Sequence, residues 1–226
     1  MTLDKKKKLL AHLLEFISEN KRTKFEQIIK NRTRHVTVVL EDLFQPHNAS
    51  AVLRSCDCFG IQDIHIIEND NQYEVNKDIA LGSSKWLNLK KYNEKEFNTL
   101  EAFNALRSQG YKIVATTPHT NDQVLEDLKL DDKVALVFGT ELGGLTKTAI
   151  DNADEYVKIP MYGFTESFNI SVSAALCLFN ITERLRGSEI DWKLNEEEEI
   201  DVMLSWGRQV IKKVDLIEKE FLKSLT

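Results

Sequence analysis

Five short runs of apolar, largely β-branched residues punctuate the middle of this chain, at residues 36–40, 63–67, 112–116, 134–138 and 155–159. Between and after them the pattern turns helical: residues 49–59 up to Gly60, 100–109 up to Gly110, 146–152, and 171–186. A strand that is apolar at nearly every position must be covered on both faces, and parallel neighbours need a crossover between them. Strand–helix alternation of this kind predicts an α/β fold, with a mostly parallel sheet and helices on both faces. Residues 45–48 read as a loop, and glycines at 60 and 110 suit helix C-caps. Ligand sites of such sheets lie beyond the carboxyl ends of the strands.

The ends of the chain are different. Residues 4–31 carry helical periodicity through Leu9, Leu10, Leu13, Leu14, Phe25, Ile28 and Ile29, which predicts two helices with a break near residues 20–23. Residues 196–225 follow an acidic run and read as one amphipathic helix, with Val202, Met203, Trp206, Val210, Ile211, Val214 and Ile217 as its apolar surplus. A division into 1–35, 36–190 and 191–226 follows: a basic helical extension, the α/β domain and a C-terminal helical extension.

Charge supports that division. The chain of 226 residues has a formal net charge of −6, yet residues 1–35 alone carry +6 and the remainder −12. A basic arm on an acidic body is the asymmetry expected of a segment that touches RNA. No apolar run reaches membrane-spanning length, and Lys5–Lys8 before a short Leu9-Leu10 lacks the pattern of a secretion signal. Three cysteines, two of them at 56 and 58, offer neither an easy disulfide nor a zinc site, so no metal and a reducing cytoplasmic setting are expected. No strand leads into Gly-x-Gly-x-x-Gly, which removes a nucleotide-dependent dehydrogenase.

Three segments stand out. The first is Asn48-Ala49-Ser50-Ala51-Val52-Leu53-Arg54-Ser55-Cys56-Asp57-Cys58-Phe59-Gly60. The second is Leu136-Val137-Phe138-Gly139-Thr140-Glu141-Leu142-Gly143-Gly144-Leu145-Thr146. The third, Phe164-Thr165-Glu166-Ser167-Phe168-Asn169-Ile170-Ser171-Val172-Ser173-Ala174-Ala175, follows Ile159-Pro160-Met161 and runs into a helix whose start offers free N–H groups. In this order the three resemble the signature motifs of the SpoU (SPOUT) family of RNA ribose 2′-O-methyltransferases, over roughly residues 36–186.

That resemblance implies several things that periodicity does not. The sheet would carry a C-terminal trefoil knot (an alpha/beta knot), which ordinary topology rules exclude. S-adenosyl-L-methionine would be the methyl donor, held at Thr116, Gly139, Ile159, Met161 and Phe168, several of them through backbone groups. Relatives commonly have leucine where this chain has Phe168, a swap that keeps an apolar wall.

The implied catalytic set is Arg54, Asn48, Ser167, Asn169 and Glu141. Arg54 would act on the ribose 2′-hydroxyl; a guanidinium is a poor base, and electrostatic stabilisation or a phosphate-assisted proton transfer is the better chemistry. Ser167 would bind an RNA phosphate, and Asn169 and Asn48 would orient Arg54 or the substrate. Glu141 would fix the cofactor loop or an arginine.

RNA contacts are implied at Lys21, Lys24 and Arg32 in the basic arm and at Lys85 beside Trp86. Arg184 and Arg186 lie one position out of register with basic residues of relatives. A short basic helical arm resembles the layout of family members that methylate a guanosine in the D-loop of tRNA and form homodimers. Ribosomal RNA or another tRNA nucleotide is the alternative substrate. A non-catalytic RNA-binding protein of the same fold is the reading from a different class.

Overall fold

The computed structural model describes residues 1–43, 45–73, 82–118, 123–141 and 143–224. Leu142 of the second motif and Leu225, the expected end of the tail helix, lie outside them. The chain divides into two compact units: Thr33–Trp192, and Met1–Arg32 together with the chain from Lys193 onward.

The larger unit is built on seven strands: β1 (Val36–Glu41), β2 (Asp63–Ile67), β3 (Asn88–Tyr92), β4 (Tyr111–Thr116), β5 (Gln123–Val124), β6 (Lys133–Phe138) and β7 (Glu155–Lys158). They form one sheet in the order β3-β2-β1-β6-β4-β7-β5, with every paired neighbour parallel. Its helices are α3 (Pro46–Phe59), α4 (Thr99–Arg107), α5 (Lys147–Asp151) and α6 (Ile170–Arg186). The predicted parallel α/β sheet is therefore what the chain forms.

The strand pleat explains the two-sided core. Alternate residues of β1 and β6 (Val36, Val38, Leu40; Val134, Leu136, Phe138) enter one apolar cluster with Val52 and Leu53 of α3 and Leu178 and Ile181 of α6. The intervening Val39, Ala135 and Val137 enter a second cluster with Phe103 and Leu106 of α4 and Ala149 of α5. Each fully buried Leu, Val or Phe stabilises the fold by about 1.5–3 kcal/mol relative to exposure.

Two strands were not foreseen. In β3, Leu89, Lys90 and Lys91 are exposed, so this edge strand lacks the continuous apolar signature, and β5 has only two residues. Asn48 lies in a helix, not a loop, because α3 begins at Pro46, whose fixed φ suits the first helical turn. Gly60 ends α3 in the left-handed region at φ 81°, as its position suggested.

The smaller unit joins both chain ends: α1 (Leu3–Leu14), α2 (Glu19–Ile29), α7 (Glu196–Val210) and α8 (Val214–Ser224). The break between α1 and α2 falls before Glu19, since Ser18 takes extended backbone there and residues 20–23 contain neither glycine nor proline. The tail is two helices: Ile211 turns extended and buries its side chain, and Lys213 takes a left-handed φ of 55°. Lys6 pairs with Glu197 and Asp201 at 2.9 and 2.7 Å, and Lys7 with Glu196 at 2.6 Å. The first lysines of the basic arm are thus answered by the acidic start of α7. Val202, Met203, Trp206 and Ile211 are buried within this unit, so most of the tail's apolar surplus is already covered. Among the described residues no helix is long and apolar enough to cross a membrane.

Candidate active site

Loops leaving the carboxyl ends of β4, β6 and β7 enclose a cavity of about 350 Å³, where such sheets bind ligands. Thr116, Gly139, Ile159, Met161 and Phe168, the five residues expected to hold the cofactor, all line it. Thr116 Oγ1 donates to Val137 O at 2.8 Å, which ties the end of β4 to β6. The β6 loop folds back on itself: Thr140 and Gly144 exchange backbone hydrogen bonds at 2.9 and 3.0 Å, and Gly144 sits at φ 67°. A Cβ at Gly139 would stand 2.2 Å from the Gly144 carbonyl, so only glycine permits this closure.

Beside this cavity lies a second one of about 230 Å³, lined by Leu43, Gln45, Asn48, Asn71, Thr140, Glu141 and Ile170. Thr140, Glu141 and Ile170 belong to both walls.

On the shared wall Glu141 Oε1 accepts from Asn48 Nδ2 and, at 3.1 Å, from Asn169 Nδ2. Asn169 Nδ2 also reaches Asn48 Oδ1 at 3.1 Å, and Asn48 Nδ2 donates to Gln45 Oε1 at 3.0 Å. Asn169 has a second task. As N-cap of α6 its Oδ1 accepts from Ser171 N at 2.8 Å and from Ser171 Oγ at 2.5 Å. One amide therefore starts the helix and braces the carboxylate.

Three of the five residues of the expected catalytic set are thus brought together. Ser167 lines the larger cavity, exposed and without a hydrogen bond among the described residues. Arg54 projects from α3, exposed, with no hydrogen-bond or ion-pair partner among the described residues, neither asparagine included, and it is not among the residues that line either cavity.

Residues expected to meet RNA fall into two groups. Lys21, Lys24 and Lys85 are exposed. Arg32 is only 3% exposed, its guanidinium 5.4 Å from the Trp206 ring centroid, so it is packed inside the smaller unit rather than presented to a partner. Arg184 donates to the carbonyls of Leu125 and Leu128, and Arg186 to that of Phe59, which gives both a structural use.

One residue behind the site escaped the sequence reading. Glu41, 1% exposed at the end of β1, accepts from Thr99 Oγ1 at 2.6 Å, Thr146 Oγ1 at 2.8 Å and Thr146 N at 2.9 Å. It anchors the end of the β6 loop. Its only sequence signal was a carboxylate closing an apolar strand.

The larger cavity suits an amphiphilic cation such as S-adenosylmethionine. Ile159, Met161, Phe168 and Ile170 give apolar walls for a flat ring, and Glu141 and Glu166 give negative charge for a sulfonium. Among the described residues no group of three or more His, Cys, Asp or Glu side chains could hold a metal ion.

Comparison with known proteins agrees with this layout. Residues 35–179 match the model of the SpoU rRNA Methylase family. The chain is 44% identical over 211 residues to the tRNA (guanosine(18)-2'-O)-methyltransferase of Borreliella burgdorferi, covering 93% of this chain and 95% of that one. Among solved structures, the A. aeolicus TrmH/SpoU tRNA modifying enzyme superposes with a TM-score of 0.76 at 26% identity, covering 86% of this chain and 98% of that chain. The SpoU methyltransferase AviRb from Streptomyces viridochromogenes, solved in complex with AdoMet, shares the fold with a TM-score of 0.59 at 21% identity, covering 72% of this chain and 65% of that chain. With the family model spanning both cavities and the amide–carboxylate cluster between them, the chain belongs to the SpoU methylase family.

Proposed function

We propose that this protein methylates the ribose 2′-hydroxyl of a guanosine in the D-loop of tRNA, using S-adenosylmethionine, as a cytoplasmic homodimer with the family's trefoil knot. The observation that carries the substrate is the likeness to the Borreliella burgdorferi enzyme along nearly the whole of both chains. The cavity formed by the β4, β6 and β7 loops supports the donor.

When bound, S-adenosylmethionine supplies an electrophilic methyl group on a sulfonium. Gly139, Ile159 and Met161 would hold it, and Phe168 would close an apolar side. Asn48, Asn169 and Glu141 are fixed by one another, so they present a rigid wall to the ribose rather than one that must reorganise. The Arg54 guanidinium would stabilise the developing 2′-alkoxide, with an RNA phosphate taking the proton. Ser167, whose hydroxyl is uncommitted among the described residues, binds a phosphate next to the target ribose.

Lys21 and Lys24 in the basic arm and Lys85 in the α/β unit would track the RNA backbone. Dimerisation is supported by a half-exposed apolar stripe on α6, Val172, Leu176 and Phe179, which recur at helical spacing.

The test is transfer of labelled methyl from S-adenosylmethionine to unmodified tRNA and, separately, to ribosomal RNA, with nucleosides identified by mass spectrometry. A 2′-O-methylguanosine from the D-loop is expected. Label in ribosomal RNA alone would keep the chemistry and replace the substrate; binding without transfer to either would leave a non-catalytic RNA binder.

A further inference from the structure

Among the described residues the smaller cavity shares Thr140, Glu141 and Ile170 with the larger one, and the polar groups that are its own have fixed orientations. Glu141, as a carboxylate, only accepts hydrogen bonds. It therefore turns the Nδ2 of both Asn169 and Asn48 toward itself. Asn48 Nδ2, so directed, also donates to Gln45 Oε1 at 3.0 Å. Gln45 has its oxygen engaged, and its Nε2 donates to nothing among the described residues.

Asn71, which lines the same cavity, is fixed in the complementary sense. Asp42, at the end of β1 with φ 59°, accepts on Oδ1 from the backbone N–H groups of Asn69, Asp70 and Asn71 at 3.0, 2.9 and 2.8 Å. Asn71 Nδ2 donates to the Asp42 carbonyl at 3.1 Å and to its Oδ2 at 3.3 Å. Both partners are acceptors, so the amide cannot be turned around, and Asn71 Oδ1 is left as an acceptor with no donor among the described residues. Leu43 and Ile170, 7% and 6% exposed, give the cavity apolar walls.

We propose that this second cavity receives the base of the target nucleotide, with Gln45 donating to guanine O6 and Asn71 accepting from the guanine N1–H and 2-amino edge. Apolar walls take the faces of the ring, and one uncommitted donor and one uncommitted acceptor read its edge. Adenine presents a donor where guanine presents O6, and an acceptor at N1, so in the same orientation it opposes like to like. This rests on the function proposed above, and it assigns the choice of guanosine to Gln45 and Asn71, which lie outside the implied catalytic and cofactor sets.

The experiment compares the full-length protein with Gln45→Glu and Asn71→Leu, on tRNA transcripts bearing guanosine, inosine or adenosine at the target position. Folding is monitored by thermal melting and cofactor affinity by calorimetry. The expected result is a fall in kcat/KM for guanosine of about tenfold or more in each variant, with cofactor affinity unchanged. The guanosine-over-adenosine ratio should collapse, and Asn71→Leu should erase the wild-type preference for guanosine over inosine. A wild type that methylates guanosine while both variants keep its base preference would overturn the base assignment alone. A wild type that methylates no tRNA guanosine would overturn the proposed function and this inference together.

Discussion

Asn169 Nδ2 donates to Asn48 Oδ1 at 3.1 Å across 121 residues of chain, which joins the start of α6 to the first turn of α3. Because the same asparagine caps α6, its loss should act on stability and on the site together. Asn169→Ala is expected to lower stability by about 1–2 kcal/mol, a drop in Tm of roughly 3–6 °C, and to lower methyl transfer at least tenfold. Asn169→Asp should restore the cap but set a second carboxylate against Glu141. Calorimetry would therefore show Tm partly recovered while transfer stays low.

Arg54→Ala tests the opposite situation, a side chain with no internal partner among the described residues. Melting and cofactor affinity should match the parent, because nothing described leans on the guanidinium. Single-turnover methyl transfer should fall by about 10²–10³, the usual loss on removing a group that stabilises developing charge. Turnover at the parent rate would remove Arg54 from the chemistry.

Glu41→Ala should be costly in another way. It strips three donors of a buried acceptor, and leaving such groups unpaired costs about 2–4 kcal/mol. Denaturant unfolding would measure the change. Cofactor affinity should weaken too, since Thr146 ends the loop that lines the donor cavity.

Acid stability should report His65. Burial pushes its pKa from 6.5 down to about 4, and the ring Nδ1 lies 2.9 Å from the Tyr92 hydroxyl. The unfolded chain binds a proton there at pH values where the folded one does not, so stability should fall as pH drops from about 6.5 to 4. The shift corresponds to about 3 kcal/mol at most. His65→Gln should flatten urea-unfolding free energies across that window. An unchanged slope would show that His65 is not the titrating group.

Lys21→Glu with Lys24→Glu should weaken tRNA binding and leave cofactor binding untouched. The slope of log affinity against log salt should become shallower by about 1 for each RNA phosphate the arm no longer neutralises. Filter binding over a salt series would measure it. Substitution is a cleaner test than deleting the arm, because α1 packs its apolar face inside a unit that also needs α7.

What the sequence disclosed and what it withheld divide along a physical line. Val36–Glu41 and Lys133–Phe138 were legible because both of their faces are buried, and Gly60 and Gly110 because both helix ends take positive φ. Asn88–Tyr92 was not, since an edge strand keeps lysines in water. The tail helix was read through its break because no glycine or proline marks Lys213. At the site, the donor-cavity residues came from motif resemblance, which carries spatial information that periodicity lacks. Glu41 and Asn71 stayed silent because their use arises only from pairings made over long sequence separations, as between Glu41 and Thr146, 105 residues apart.

The pairing of Lys6 and Lys7 with the start of α7 also sets an order of events during synthesis. Lys6 is synthesised some 190 residues before Glu197, and at about 5–20 residues per second the gap between them is roughly 10–40 s. Through that interval Leu9, Leu10 and Leu13 have no finished helical partner, although the α/β unit is largely made. The newborn chain therefore carries a sticky, cationic leading end that is quenched only when its last helices arrive, and a ribosome stalled late in the message would leave that end open to chaperones or to stray RNA.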